Sequence, residues 1–182
     1  MAHNSDTAEY ITIATLGDAA DFGDLVSVHK DHGVAGNLVR GLICAGKDDG
    51  GSRIKNIDFI VIASLGNATD FGDITTETGF VASCGDGTKV LIGGGNTGSY
   101  TVTIEYVNAA STGDASDFGD LTSARGYFTA LSDGTKGVFA GGTTGSQVDI
   151  MDYVNIASLG DASDFGNLIQ TKQEVGQGMS GD

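Results

Sequence analysis

The sequence contains no proline and no tryptophan, and its nine lysines and arginines are outnumbered by 24 aspartates and glutamates. The resulting formal charge of −15 repels phosphate backbones and anionic lipids, so neither nucleic acid nor a membrane is an expected partner. The opening residues MAHNSDTAEY include no apolar run, so we expect no signal peptide, and no other run reaches the length of a membrane span. The two cysteines, Cys44 and Cys84, stand at non-equivalent positions of the repeated sequence described below, so we expect no disulfide framework. We therefore expect the chain to be made in a reducing cytoplasm.

Glycine, in contrast, accounts for 30 of the 182 residues, and 40% of the residues are apolar. A chain of this length and apolar content is able to bury the core of one domain, which we place at residues 1–182. Because proline is missing, so much glycine indicates tight turns and closely packed backbones rather than a flexible linker.

A nine-residue segment recurs four times: GDAADFGDL at 17–25, GNATDFGDI at 66–74, GDASDFGDL at 113–121 and GDASDFGNL at 160–168. Its phenylalanines stand 49, 47 and 47 residues apart (22 to 71, 71 to 118 and 118 to 165), a period typical of a propeller, a solenoid or another array. A second aromatic residue stands 12 positions before each phenylalanine, and an acidic residue stands 13 before it. The aromatic positions are Phe22, Phe71, Phe118, Phe165, Tyr10, Phe59, Tyr106 and Tyr153, and the acidic ones are Glu9, Asp58, Glu105 and Asp152.

Each repeat is predicted to contain four short strands, a to d, and no helix. FVASC and YFTAL represent strand a, KVLIGGG and KGVFAGG strand b, TVTIEYVNAA strand c, and DFGDLTSA strand d. DGTK between strands a and b predicts a hairpin turn, because Asp-Gly readily adopts positive φ. The predicted units are a partial blade at 9–28, repeats at approximately 29–77, 78–124 and 125–171, and a partial strand at 172–182.

Two units follow the residue order of the kelch repeat. VFAGG, DY, DFGNL and Lys172 show this order, as do LIGGG, EY, DFGDL and Arg125, with phenylalanine in place of the kelch tryptophan. The units more closely resemble the TIASxGNATDFGDLT repeats of marine phage and related viral proteins. This resemblance implies an all-β, kelch-like β-propeller of about 47-residue blades, with three full repeats and partial blades at both ends. It also implies a non-enzymatic structural or adhesion role in the virion (tail, fibre or decoration), with other copies or other virion proteins as partners.

The repeated residues have expected structural roles in such a fold. Each phenylalanine is expected to anchor one blade on the next, because large aromatic rings bury the most area. The paired glycines are expected to let strand b run innermost, close to a propeller axis; they are Gly94, Gly95, Gly141 and Gly142. The aspartates of the nine-residue segment are expected to cap turns.

Several chemical interpretations compete with these structural ones. Asp114, Asp117 and Asp120 are three apart and could present oxygens to Ca²⁺, but they lack the EF-hand pattern, so turn capping is favoured. GGGNTG fits a dinucleotide-binding pattern, but no helix is predicted after it. His29 and His32 are the only clustered histidines, and Cys44 could join them in a metal site, but the other repeats have no equivalent, so a surface pair is favoured. We therefore expect no enzyme, no catalytic residue, no metal and no cofactor.

Counted by phase, the sequence enters the repeat at strand c, YITIA, and its last segment, 170–182, supplies only strand a. Three explanations are open: a fragment of a longer product, a four-bladed ring with one incomplete blade, or completion by a second copy. We favour assembly, because residues 10–14 would otherwise leave a bare strand edge. An alternative function is glycan binding by the b–c loops KDDGGSR, NTGSYT and TTGSQ. Their single aromatic residue, Tyr100, favours the structural role.

Overall fold

The structure, a computed structural model, describes residues 6–174, which form 14 β-strands and no helix. The strands are β1 (Thr7–Tyr10), β2 (Ala20–Asp24), β3 (Gly33–Gly36), β4 (Arg40–Lys47), β5 (Arg53–Val61), β6 (Thr69–Asp73), β7 (Ala82–Gly85), β8 (Lys89–Gly93), β9 (Thr103–Asn108), β10 (Ser116–Asp120), β11 (Thr129–Ser132), β12 (Lys136–Ala140), β13 (Val148–Asn155) and β14 (Ser163–Lys172).

The strands form four antiparallel sheets in chain order, which we call units 1 to 4. Unit 1 contains β1 and β2, unit 2 contains β3–β6, unit 3 contains β7–β10, and unit 4 contains β11–β14. Every strand pairs with its sequence neighbour, so each unit is a meander. The prediction of an all-β chain built from four-stranded units is therefore confirmed, with three complete units and one of two strands.

The a–b hairpins form as their Asp-Gly sequence predicts. The Asp86 carboxylate accepts the N–H groups of Thr88 and Lys89 at 2.8 and 2.7 Å, and Gly87 has a φ of +82°. Asp133 and Gly134 repeat this arrangement in unit 4. The aspartate therefore closes the turn with its side chain while glycine supplies the positive φ.

The core lies between successive sheets. One buried cluster joins units 2 and 3 and includes Leu42, Phe71, Val90 and Val107. A second joins units 3 and 4 and includes Leu91, Phe118, Phe139 and Val154. Val90 and Leu91 are adjacent in β8 and enter different clusters, which explains why strand b is apolar at successive positions rather than alternating.

The prediction that strand b lies innermost is wrong. The first strand of unit 3, β7, packs against the first strands of its neighbours, β3 and β11, whereas β8 is the second strand of its sheet. The paired glycines instead serve the turn that follows strand b. Gly94 has a φ of +53°, and a Cβ there would lie 2.7 Å from the Arg125 carbonyl oxygen. These glycines allow the turn to approach the backbone segment that connects two units. Their role is therefore not to bring strand b close to a propeller axis.

The two outermost predicted strands differ from the observed ones. A strand was predicted over residues 10–14, but β1 ends at Tyr10. A turn follows instead, in which the Thr15 N–H donates to the Thr12 carbonyl at 3.1 Å. β14 continues to Lys172, twice the five residues of β10, so the start of the predicted strand a at 172–182 belongs to strand d. The rest of that prediction, at 175–182, lies outside the described residues.

Candidate interaction surfaces

The repeated aromatic residues pack in pairs within each unit. The rings of Phe59 and Phe71 meet edge to face at 5.9 Å, and the pairs in the other units lie between 5.9 and 6.2 Å. Burial of the phenylalanine, however, depends on the next unit. Phe71 and Phe118 are each 2% exposed, whereas Phe165, whose unit has no following sheet in the described residues, is 51% exposed. Each phenylalanine therefore belongs to its own sheet and supplies a docking face for the next.

The nine-residue segment forms hydrogen bonds between successive units. We call each region of contact between two successive units a junction. Gly113 and Ala115 of unit 3 donate their N–H groups to the carbonyls of Phe71 and Asp73 of unit 2, both at 2.8 Å. In return, the Asp73 N–H donates to the Asp114 carboxylate at 3.0 Å. The other two junctions repeat these three bonds. Between units 1 and 2, the segment at residues 66–68 binds Phe22 and Asp24. Between units 3 and 4, the segment at residues 160–162 binds Phe118 and Asp120.

Glycine is required where the two copies of the segment meet. A Cβ on Gly72 would lie 2.5 Å from the carbonyl oxygen of Gly113, and one on Gly119 would lie 2.4 Å from that of Gly160. Their φ angles are +146° and +149°, a region reserved for glycine. The four near-identical copies are therefore explained by one interface that recurs along the chain.

The acidic residue of strand c is the second polar element of each junction. Asp58, Glu105 and Asp152 are at most 7% exposed. Each accepts a backbone N–H from the preceding unit, and the donors Val26, Thr75 and Thr122 lie at 3.0, 3.0 and 3.1 Å. The carboxylate thus satisfies a donor in the linker after strand d, as buried polar groups require.

Two junctions also carry a buried basic side chain that contacts this carboxylate. Arg125 is fully buried, and its guanidinium donates to Asp152 at 2.6 Å and to the carbonyls of Phe139 and Gly141 at 3.1 Å. His29 stands at the equivalent position, with one ring nitrogen 3.1 Å from the Asp58 carboxylate and the other 2.8 Å from the Ala45 carbonyl oxygen. His29 is therefore part of a junction, which the sequence alone did not indicate.

A third connection runs through the linkers between strands d and a. Asp31, Phe80, Tyr127 and Glu174 occupy equivalent positions and all have φ between +54° and +62°. Backbone N–H groups donate from Phe80 to Asp31, from Tyr127 to Phe80 and from Glu174 to Tyr127, at 2.8, 3.3 and 2.8 Å. This uncommon conformation in non-glycine residues is stabilised because it links each unit to the one before.

The same linkers place an aromatic column on the face that carries the b–c loops. Phe80 stacks on Tyr127 with ring centroids 3.7 Å apart, and the Lys47 ammonium lies 3.7 Å from the Phe80 centroid. Lys47 also pairs with Asp31 at 3.6 Å. Burial, with the neighbouring Tyr100 second, raises the pKa of Tyr127. The loops themselves contain one aromatic residue, so sequence reasoning missed this column; its members stand at one phase of the repeat, which was the available signal.

The predicted chemical sites are placed as follows. Asp114 binds a backbone N–H, and nowhere in residues 6–174 do three or more His, Cys, Asp or Glu side chains gather as a metal site requires. His29 and His32 lie with ring centroids 6.1 Å apart, and burial followed by the proximity of His29 lowers the pKa of His32. Cys44 and Cys84 are free and buried, and burial raises the pKa of each to about 12, so both thiols remain protonated and unreactive at neutral pH.

No family model matches the chain, and no curated protein matches it either. Among residues 6–174 there is no helix of the length and apolar character needed to cross a membrane. The candidate surfaces are therefore defined by geometry: three occupied junctions, the outer faces of units 1 and 4, and the aromatic column.

Proposed function

We propose that the chain is a kelch-like β-propeller segment that serves as a non-enzymatic structural and adhesion module of a phage virion. The observation that carries this proposal is the threefold recurrence of one junction. The repeated carboxylates, glycines and aromatic rings are engaged between units rather than gathered around a reacting centre. Sheets joined side by side with their first strands in contact suit a propeller.

The properties of the surface agree with a particle component. A charge of −15 opposes non-specific clumping, so contacts between modules have to be specific. The outer face of unit 4 presents the half-exposed ring of Phe165 and an antiparallel strand, β14, that has no neighbour on its outer side in the described residues. An exposed strand edge beside an apolar ring is a suitable attachment face for another protein of an assembly.

Immunogold electron microscopy tests this role. Antibodies raised against the purified chain are applied to gradient-purified particles of the virus that encodes it, with pre-immune serum as the control. We expect label at the tail, the fibre or the capsid surface of intact particles. Detection of the protein only in infected-cell lysate, with none in purified particles, would contradict the proposal.

Glycan binding is a second candidate, favoured by the aromatic column. Stacked rings flanked by charged and hydroxyl groups are able to pack on a sugar ring and to bond its hydroxyls, and Phe80, Tyr127 and Lys47 provide such a group. On a glycan array, a hit of the wild-type chain should be lost in Tyr127→Ala. It should persist in Leu38→Ala, a fully exposed apolar residue in an a–b turn at the other end of the sheet. A wild-type chain without hits, or hits that survive Tyr127→Ala, would eliminate this candidate.

A further inference from the structure

The outer face of unit 4 carries one half of a junction. Phe165 and Gly166 stand at the positions of Phe118 and Gly119, which are covered by the following unit. A Cβ on Gly166 would meet only the Met151 methyl group at 3.9 Å, so the space taken by Gly160 in the equivalent junction is open here. Lys172, also exposed, stands at the position of Arg125.

The outer side of unit 1 carries the other half. Residues 17–19 read Gly-Asp-Ala, as residues 113–115 and 160–162 do. Glu9 stands at the position of Asp58 and Asp152 but is exposed, whereas those two are fully buried. Unit 1 therefore presents the same Gly-Asp-Ala segment that binds the preceding unit at the second and third junctions.

The apolar surfaces of the two halves also match. Val154, Ile156 and Ala162 of unit 4 share the buried cluster that covers Phe118. The equivalent residues of unit 1 are Ile11, Ile13 and Ala19, of which Ile11 is 65% and Ile13 89% exposed. Side chains of this kind cover Phe118 but do not cover Phe165, whose ring is half-exposed. A group of large exposed apolar residues marks an interaction site.

A basic residue completes the match. Arg40 and Lys89, each at the start of strand b, donate to the carbonyls of Ala109 and Ile156 in the following unit at 3.3 and 3.0 Å. Lys136 is the equivalent residue of unit 4 and is exposed, and the equivalent carbonyl on unit 1 belongs to Ile13.

We propose that the outer face of unit 4 binds the outer edge of unit 1 of a second copy of this chain. In this contact Gly17 and Ala19 donate to the carbonyls of Phe165 and Asn167, Asp18 accepts the Asn167 N–H, and Glu9 faces Lys172. The contact is heterologous, so it builds a closed ring or an open filament. It names the partner for the assembly role proposed above and rests on that role; its test uses the isolated chain, so its failure is distinguishable from an absence of label on particles.

Sedimentation velocity from low micromolar to submillimolar protein tests the contact, at physiological ionic strength because copies of like charge repel. We expect the wild-type mass to rise with concentration. Phe165→Asp should raise the dissociation constant at least about tenfold, since it removes the central aromatic anchor. Leu38→Asp changes a more exposed apolar residue that lies outside the contact, and it should behave as wild type.

Exchanging the charges of Glu9 and Lys172 tests directly whether these two residues face each other in the contact. Glu9→Lys and Lys172→Glu should each weaken self-association, because each places like charges across the contact. An equimolar mixture should regain it, since opposite charges then face each other at every contact when the two variants alternate. A wild-type chain that stays monomeric, including one that closes on itself with protected amides at 163–172, would overturn the proposal. Association that Phe165→Asp leaves unchanged, or variants that the mixture does not rescue, would also overturn it.

Discussion

Replacing Arg125 by methionine will destabilise the protein by about 3–5 kcal/mol, the usual cost of removing one partner from a buried ion pair. Arg125 and Asp152 are both fully buried, and their side chains meet at 2.6 Å. Methionine fills similar space but leaves the Asp152 carboxylate without its cation. Two carbonyls, those of Phe139 and Gly141, also lose their donor. Urea unfolding followed by circular dichroism measures the loss.

Lys55→Met is the matched control for this substitution. Lys55 pairs with Asp73 at 2.8 Å, but both side chains are well exposed, so little stability should be lost. Adding Asp152→Asn to Arg125→Met should recover part of the loss, because the buried charge then disappears while the amide still accepts from Thr122. Equal stability of Arg125→Met and Lys55→Met would show that the buried pair contributes nothing net.

Gly119→Ala will cost about 1–3 kcal/mol more than Gly166→Ala, the range expected for overpacking. Both glycines have φ in the glycine region, +149° and +131°, so both substitutions strain the backbone. Only at Gly119 does the new Cβ meet a backbone carbonyl, that of Gly160 at 2.4 Å, whereas at Gly166 the nearest atom is a methionine methyl at 3.9 Å. The difference between them therefore isolates the junction.

Thermal and urea unfolding should compare the two variants at low protein concentration, where copies are separate. The same pair then distinguishes folding from assembly, because Gly166→Ala should impair self-association much more than it impairs stability. Equal destabilisation by the two substitutions would mean that the close approach at the junction is not limiting.

The repeating sequence was sufficient to predict the units and the phenylalanines that join them, but not the polar contacts between units. The 47-residue phase, the Asp-Gly turns and the apolar runs each specify local structure, and the four-strand order follows from them. The use of Asp114 across a junction was not predictable as such, since an aspartate in a turn is as well satisfied by its own backbone. The sequence interpretation accordingly assigned it to turn capping, whereas it accepts an N–H from another unit.

The innermost strand and the aromatic column could not be predicted for a related reason. Gly94 and Gly95 indicate close backbone approach without indicating which backbone approaches, and it is that of neighbouring linkers. Phe80 and Tyr127 stand 47 residues apart and stack only because their linkers share a left-handed conformation, which neither residue type favours. Long-range packing therefore decides what local preference leaves open.

The residue that faces the buried acid of the junction differs at each unit boundary, and this difference distinguishes otherwise similar surfaces. Histidine faces aspartate at the first boundary and arginine faces aspartate at the third, whereas the second has the neutral Thr78 at that position. Chains of near-identical repeats are prone to pair out of order while they fold. Docking unit 4 directly onto unit 2 would place Thr78 beside Asp152, and that buried carboxylate would then lack the cation that Arg125 supplies. A buried carboxylate without its cation would destabilise the misdocked arrangement, so the variation at this position favours docking of the units in their sequence order.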